Sequence, residues 1–166
     1  MANTKARNGA GTVEHPRSSS LEQYDAELVA ITLLSKELGI VLAPAKLSLD
    51  DDTRTLVHVD GFHEGPPAHI VEVFAHQGPL KPGQRHKVMS DVLKLVAIGG
   101  RYPRAKLLLV LTDTLAAADA RRGWRGAAAK SLGVEVRTVT LPDDVAAAVR
   151  AAQQRQRMVN VTDEDC

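Results

Sequence analysis

Apolar residues recur at spacings of three and four from residue 24 onward: Tyr24, Leu28, Ile31, Leu34 and Leu38, followed by Gly39. That spacing predicts an amphipathic helix over 21–38, with Ser20 as its capping residue and Gly39 as its stop. The period then shortens. Lys46–Leu49 suits a short strand, Asp50-Asp51-Asp52 a turn, and 54–60 alternates as a strand does. The segment GFHEGPP (61–67), with two glycines and two prolines, predicts a turn. A second clear strand is expected over 69–75, and a loop over HQGPLKPG (76–83).

Helical periodicity returns over about 83–98 and ends at Gly99-Gly100. The run AKLLLVL (105–111) is almost continuously apolar, the pattern of a strand covered on both faces. A helix is predicted through 116–132, weakened in its middle by Gly123 and Gly126, then a strand over 134–139. Pro142 opens a last helix over 143–155. The order αβββαβαβα predicts an α/β fold: a mixed central sheet flanked by helices, antiparallel in its first three strands and parallel where helices intervene. Residues 1–19, rich in Gly, Ser, Asn and Ala without periodicity, are expected to form a disordered arm. Residues 20–156 are expected to form a single domain and 157–166 a flexible acidic tail.

Composition narrows the class. At 44% hydrophobic but only 3% aromatic residues, the core has to be aliphatic. The one cysteine is Cys166, the last residue, which excludes a disulfide framework and a Cys-based zinc site. No apolar run approaches the roughly 20 residues that span a bilayer, and residues 1–20 lack the apolar core of a signal peptide, so a cytoplasmic protein without membrane attachment is expected. Acids outnumber bases over 21–75, and bases outnumber acids over 76–106. This polarity suits a metal site beside a phosphate-binding surface, although solvated faces give the same pattern.

Two acids sit where strands predict burial. Side chains alternate along a strand, so His58 and Asp60 share one face, and Ile70, Glu72 and Phe74 share one face of the next strand. Paired as a hairpin, the two strands bring Asp60 and Glu72 close together. Two carboxylates in a desolvated place repel each other, and Mg²⁺ or Mn²⁺ is a hard cation suited to such oxygen ligands. The Asp60-Gly61 pair is also a common turn signal. Glu27 falls beside Ile31 and between Leu34 and Leu38 on a helical wheel, which points it at the sheet. On the second helix Gln84, Lys87, Asp91 and Lys94 form one polar stripe, which is also what a solvated face looks like. Lys81 and Gly83 precede that helix, where free N–H groups and cations converge on a place for phosphate.

Five histidines (His58, His63, His69, His76, His86) lie within 29 residues, but their spacings match no compact zinc motif. His76, just past Glu72, is the best placed as a phosphate contact or proton carrier. RRGWRG (121–126) could touch nucleic acid with Trp124 stacking, while a lone Trp more often caps a core.

The element order, Asp60-Gly61 and the Glu72-Val73-Phe74 strand together resemble the PD-(D/E)XK (restriction endonuclease-like) nuclease superfamily over about residues 21–112. The resemblance implies an αβββαβ core carrying an α-β-α extension. It also implies that Glu27, Asp60 and Glu72 hold one or two Mg²⁺ (or Mn²⁺) ions. The family's lysine, two residues after the Glu, is here Phe74. Because that lysine can migrate onto the following helix, Lys87 is its expected replacement, with Gln84 beside it and Lys81 second. The expectation is a metal-dependent endonuclease-like phosphodiesterase acting on DNA. Asp60, Glu72, Lys87 and Gln84 would be catalytic, and His76, Lys81, Arg85, Lys94 and Arg101 would contact nucleic acid. A homodimer is expected by analogy. A non-catalytic nucleic-acid-binding or protein-interaction domain on the same fold is the alternative.

Overall fold

A computed structural model describes residues 21–51 and 54–162. The predicted arm (1–19), the Ser20 cap, Asp52 and the last four residues lie outside the described residues. The elements are α1 (Leu21–Leu38), β1 (Ala43–Ser48), β2 (Leu56–His63), β3 (His69–Phe74), α2 (Pro82–Gly99), β4 (Lys106–Leu111), α3 (Thr114–Arg121), α4 (Gly123–Ser131), β5 (Val134–Thr138) and α5 (Asp143–Thr162). They form an α/β fold with a five-stranded mixed sheet in the order β1-β2-β3-β4-β5. The β1–β2 and β2–β3 pairs are antiparallel, and β3–β4 and β4–β5 are parallel.

The sheet lies between two helical layers because β3 and β4 are apolar on both faces. Ile70, Leu107, Leu109 and Leu111 pack with Val88, Val92, Leu95 and Ile98 of α2 and the alanines of α3. Val71, Val73, Leu108 and Val110 pack with α1 and α5 on the other side. Each fully buried Val, Leu or Ile contributes about 1.5–3 kcal/mol, so this two-sided aliphatic core substitutes for the missing aromatics. Among the described residues no helix is long and apolar enough to cross a membrane.

Four local expectations change. First, the buried stripe of α1 is Ala26, Ala30, Ile31 and Leu34, whereas Tyr24 (51%) and Leu28 (37%) are exposed. Small residues let α1 sit close to the sheet, and this rotates the helix away from its largest apolar side chains. Second, Asp60-Gly61 makes no turn: β2 continues to His63, and the chain reverses within 64–68. Gly61 answers a packing need instead, since a Cβ there would lie 2.7 Å from Ile31 Cδ1 and 3.3 Å from Val71 Cβ.

Third, the helix expected over 116–132 is two helices. Arg122 is extended and Gly123 has φ +67°, a left-handed conformation that glycine adopts without strain. Asp113 caps α3, accepting from the N–H groups of Leu115 and Ala116. Gly126 lets α4 fold back against the end of α3, because a Cβ there would lie 2.0 Å from the Arg121 carbonyl oxygen. Fourth, α5 runs on to Thr162, past the 155 that the pattern predicts and into the span expected to be a flexible tail.

Candidate active site

β3 is the central strand, and its buried polar residue is Glu72. Its register with β2 runs His63↔His69, Phe62↔Ile70 and Gly61↔Val71, so the next step places Asp60 opposite Glu72. There the Asp60 side chain takes over from the ladder: its Oδ2 accepts the Val73 N–H at 2.7 Å. Glu72 is 3% exposed and sits on the α2 side with Ile70, because alternation puts Val71 and Val73 in the opposite core.

Two members of the α2 polar stripe, Asp91 and Lys94, turn toward this strand pair. Asp91 is 3% exposed, and its Oδ1 lies 2.5 Å from Lys87 Nζ one turn earlier. Lys94 Nζ lies 2.6 Å from Glu72 Oε2 and donates to the His58 carbonyl at 3.0 Å. Glu72 Oε1 and Asp91 Oδ2 are buried without a hydrogen-bond partner among the described residues.

The electrostatics show that these groups form one cluster. Burial pushes the Glu72 carboxyl up to about 8, and Asp60 and Asp91 push the same way against the pull of Lys94. Burial, then Asp60 and Asp91, raise Glu27 to about 7, against Lys87 and Lys94. Asp91 is raised, mainly by burial. Burial pulls Lys87 down, but its bond to Asp91 and the charges of Asp91, Glu72 and Asp60 outweigh this and hold it above its ordinary value. Four carboxyls (Glu27, Asp60, Glu72, Asp91) against two ammonium groups (Lys87, Lys94) leave two negative charges in excess when all are ionised. Burial first, and the neighbouring acids second, raise Glu27, Glu72 and Asp91, so Glu27 and Glu72 hold protons near neutral pH.

Glu27, Asp60, Glu72 and Lys87 are thus brought into one neighbourhood. Asp91 joins them without having been singled out from the sequence as a site residue. Its signal was available, because on the helical wheel it lies between the buried Leu95 and Ile98, at the edge of the apolar arc. Lys94, expected on a nucleic-acid surface, is instead the direct partner of Glu72.

The other candidates lie elsewhere. His76 is buried, and its Nε2 donates to the Pro79 carbonyl at 3.2 Å, since a carbonyl only accepts. Its Nδ1 then accepts from Gln84 Nε2 at 3.1 Å. Burial lowers the His76 pKa, in keeping with this neutral form. Gln84 Oε1 accepts the Lys81 N–H at 2.8 Å, so Gln84 closes the N-terminus of α2 and is not turned to the acids. Lys81 is exposed there and lines a polar surface cavity with His76 and Arg157. Arg85 faces Asp119 of α3, and Arg101 pairs with Asp51 at 2.8 Å. Trp124 is 69% exposed, which removes the core-capping alternative and leaves the stacking one.

All four acids offer carboxylate oxygen, the donor type of a hard divalent cation. The unpartnered Glu72 Oε1 and Asp91 Oδ2 agree with such a donor set in kind. Among the described residues, however, no three His, Cys, Asp or Glu side chains converge closely enough to hold a metal ion, the histidines included. Comparison with models of protein families, with curated proteins and with solved structures found no match.

Proposed function

We propose that the chain is a divalent-metal-dependent phosphodiesterase acting on DNA, on a restriction endonuclease-like fold. The reading rests on one observation: four carboxyls against two ammonium groups around β3, with Glu72 Oε1 and Asp91 Oδ2 buried and, among the described residues, unpartnered. Glu27, Asp60 and Glu72 would have to draw together to hold Mg²⁺ or Mn²⁺, since among the described residues no three acids converge on one point as they stand; the ion would supply charge to the phosphate and acidify a water. Lys87 remains charged throughout the neutral range, and its side chain is more than half exposed above a buried anchor, Asp91. It therefore reaches from the acids to the surface, where it would stabilise charge developing on a phosphate oxygen. Exposed bases such as Lys81 would follow the DNA backbone with salt-dependent affinity. A cytoplasmic location and a homodimer belong to the same proposal.

The test is nicking of supercoiled plasmid with Mg²⁺ or Mn²⁺. Asp60→Asn and Glu72→Gln are expected to abolish nicking. Lys87→Ala should slow it by about 100-fold or more, as loss of a preorganised charge does. Wild-type rates in the two carboxylate variants would sink the proposal.

A second reading is favoured by a different observation. Lys94 already neutralises Glu72, the Val73 N–H occupies Asp60 Oδ2, and Phe74 stands where the family has its lysine. In a non-catalytic nucleic-acid-binding or protein-interaction domain, that lysine would replace the metal permanently. This reading expects no cleavage with any divalent metal and no Mn²⁺-dependent rise in melting temperature, whereas a bound ligand of the native state raises it.

A further inference from the structure

The other flank of α2 carries a feature that the acidic cluster does not use. Arg85, Val88 and Met89, one turn of α2, face the α3–α4 junction across a cavity of about 230 Å³. Arg85, Arg122 and Arg125 line it, with Asp119 as the only carboxylate. Asp119 is already engaged: its Oδ2 accepts the Leu80 N–H at 2.9 Å and lies 3.9 Å from Arg85, and its Oδ1 lies 3.5 Å from Arg122. Three guanidinium groups against one carboxylate leave two positive charges in excess at the cavity.

Arg85 Nε is buried and has no hydrogen-bond partner, a donor withdrawn from water without replacement. The break between α3 and α4 adds to the positive field. Arg122 gives α4 no side-chain cap and the first turn of α4 holds no acid, so its first N–H groups stay open to an anion. The remaining wall, Leu80, Val88, Met89 and Ala120, is apolar. Between the lining residues Gly123 and Arg125 stands exposed Trp124, with the Arg125 guanidinium 4.9 Å from its ring centroid.

We propose that this cavity binds a nucleotide through its phosphate. The guanidinium groups take the phosphate oxygens, where paired N–H donors match the geometry. The apolar wall and the Trp124 ring take the base, since stacking on an aromatic ring tolerates any base. A small inorganic anion would leave the apolar wall unused, and a neutral aromatic would leave the excess charge unanswered. The site stands apart from the phosphodiesterase reading, because none of its residues belongs to the acidic cluster.

Trp124 is the sole tryptophan and stands in sequence between two lining residues, so its fluorescence is the probe for a base stacked beside the cavity. The experiment titrates the full chain, at low salt with chelator and no divalent metal, with AMP, adenosine and inorganic phosphate. AMP is expected to change the fluorescence saturably and inorganic phosphate to compete. Adenosine is expected to bind about tenfold or more weakly, the worth of one charge-assisted contact. Arg122→Gln and Arg125→Gln should each weaken AMP by about tenfold on the same grounds. Arg104→Gln, the same charge loss at a different surface cavity, should leave AMP binding unchanged. Glu72→Gln should also leave it unchanged, which separates this result from any outcome at the acidic cluster. The proposal is overturned if AMP gives neither a saturable signal nor a rise in melting temperature. It is equally overturned if adenosine matches AMP, or if the cavity variants behave as Arg104→Gln does.

Discussion

Lys94 Nζ lies 2.6 Å from Glu72 Oε2, joining the exposed end of a helical stripe to the one carboxylate buried in the central strand. Glu72 feels this ammonium as the main force favouring its ionised form, against burial and two neighbouring acids. The pair therefore bears on the charge state of Glu72 above all. Removing Lys94 should be felt only where Glu72 is ionised. Lys94→Met is expected to destabilise the fold by about 2–3 kcal/mol at pH 9, toward the lower bound for breaking a buried pair because Lys94 keeps some exposure. At pH 5, with Glu72 protonated, the loss should nearly vanish. Urea denaturation at both pH values checks this, and an equal loss at both would refute it.

The raised carboxyls also give stability a pH dependence with a definite sign. Glu72 goes from an ordinary 4.5 when unfolded to about 8 when folded. The native state thus binds the proton more tightly. Its contribution is complete below 4.5 and is lost as pH rises through 8. Glu27, raised to about 7, acts in the same direction over a narrower window. Glu72→Gln removes the larger share. This variant should be more stable than the parent at pH 9, on the order of 3 kcal/mol, and close to it at pH 4.5. The difference in urea midpoints across pH 4.5–9 measures it.

Gly61 is a packing requirement, which makes it testable apart from any chemistry. Its missing Cβ leaves room for Ile31 Cδ1, which a Cβ would approach to 2.7 Å. Gly61→Ala is expected to cost about 1–3 kcal/mol, as overpacking does in a filled core. Because the clashing atom is the end of a side chain, adding Ile31→Val should recover part of the loss. A double variant no more stable than Gly61→Ala would place the strain elsewhere.

Gln84 separates two roles cleanly. Its side chain holds the Lys81 N–H and His76 Nδ1, both at the start of α2. Gln84→Ala should lower stability by about 1 kcal/mol, the usual worth of a cap. Nicking by the folded fraction, if the phosphodiesterase proposal holds, should keep its saturated rate. A normal melting temperature with a collapsed rate would return Gln84 to the reacting centre.

Most of the architecture follows from periodicity alone. Ten observed elements against nine predicted differ by a single split at Gly123, and the doubly apolar run 105–111 is the buried strand β4. Such local signals survive because each helix or strand must satisfy its own backbone and bury its own apolar face. Asp60-Gly61 misleads for the opposite reason: a glycine needed for a turn and a glycine needed for a neighbouring helix look identical until Ile31 is in place.

The site divides along the same line. That Glu72 is buried can be read from its apolar neighbours, and that Glu27 points inward from its helical phase, because both depend on contacts within one element. The pairing of Lys94 with Glu72 and of His76 with Gln84 cannot, whereas Lys87 and Asp91 are neighbours four apart on one helix and could be paired from the spacing. Each polar group on α2 had several partners of the right charge within reach in sequence. Only the angle at which the helix crosses the β2–β3 pair, set by Val88, Val92 and Leu95 packing on Ile70 and Leu109, chooses among them.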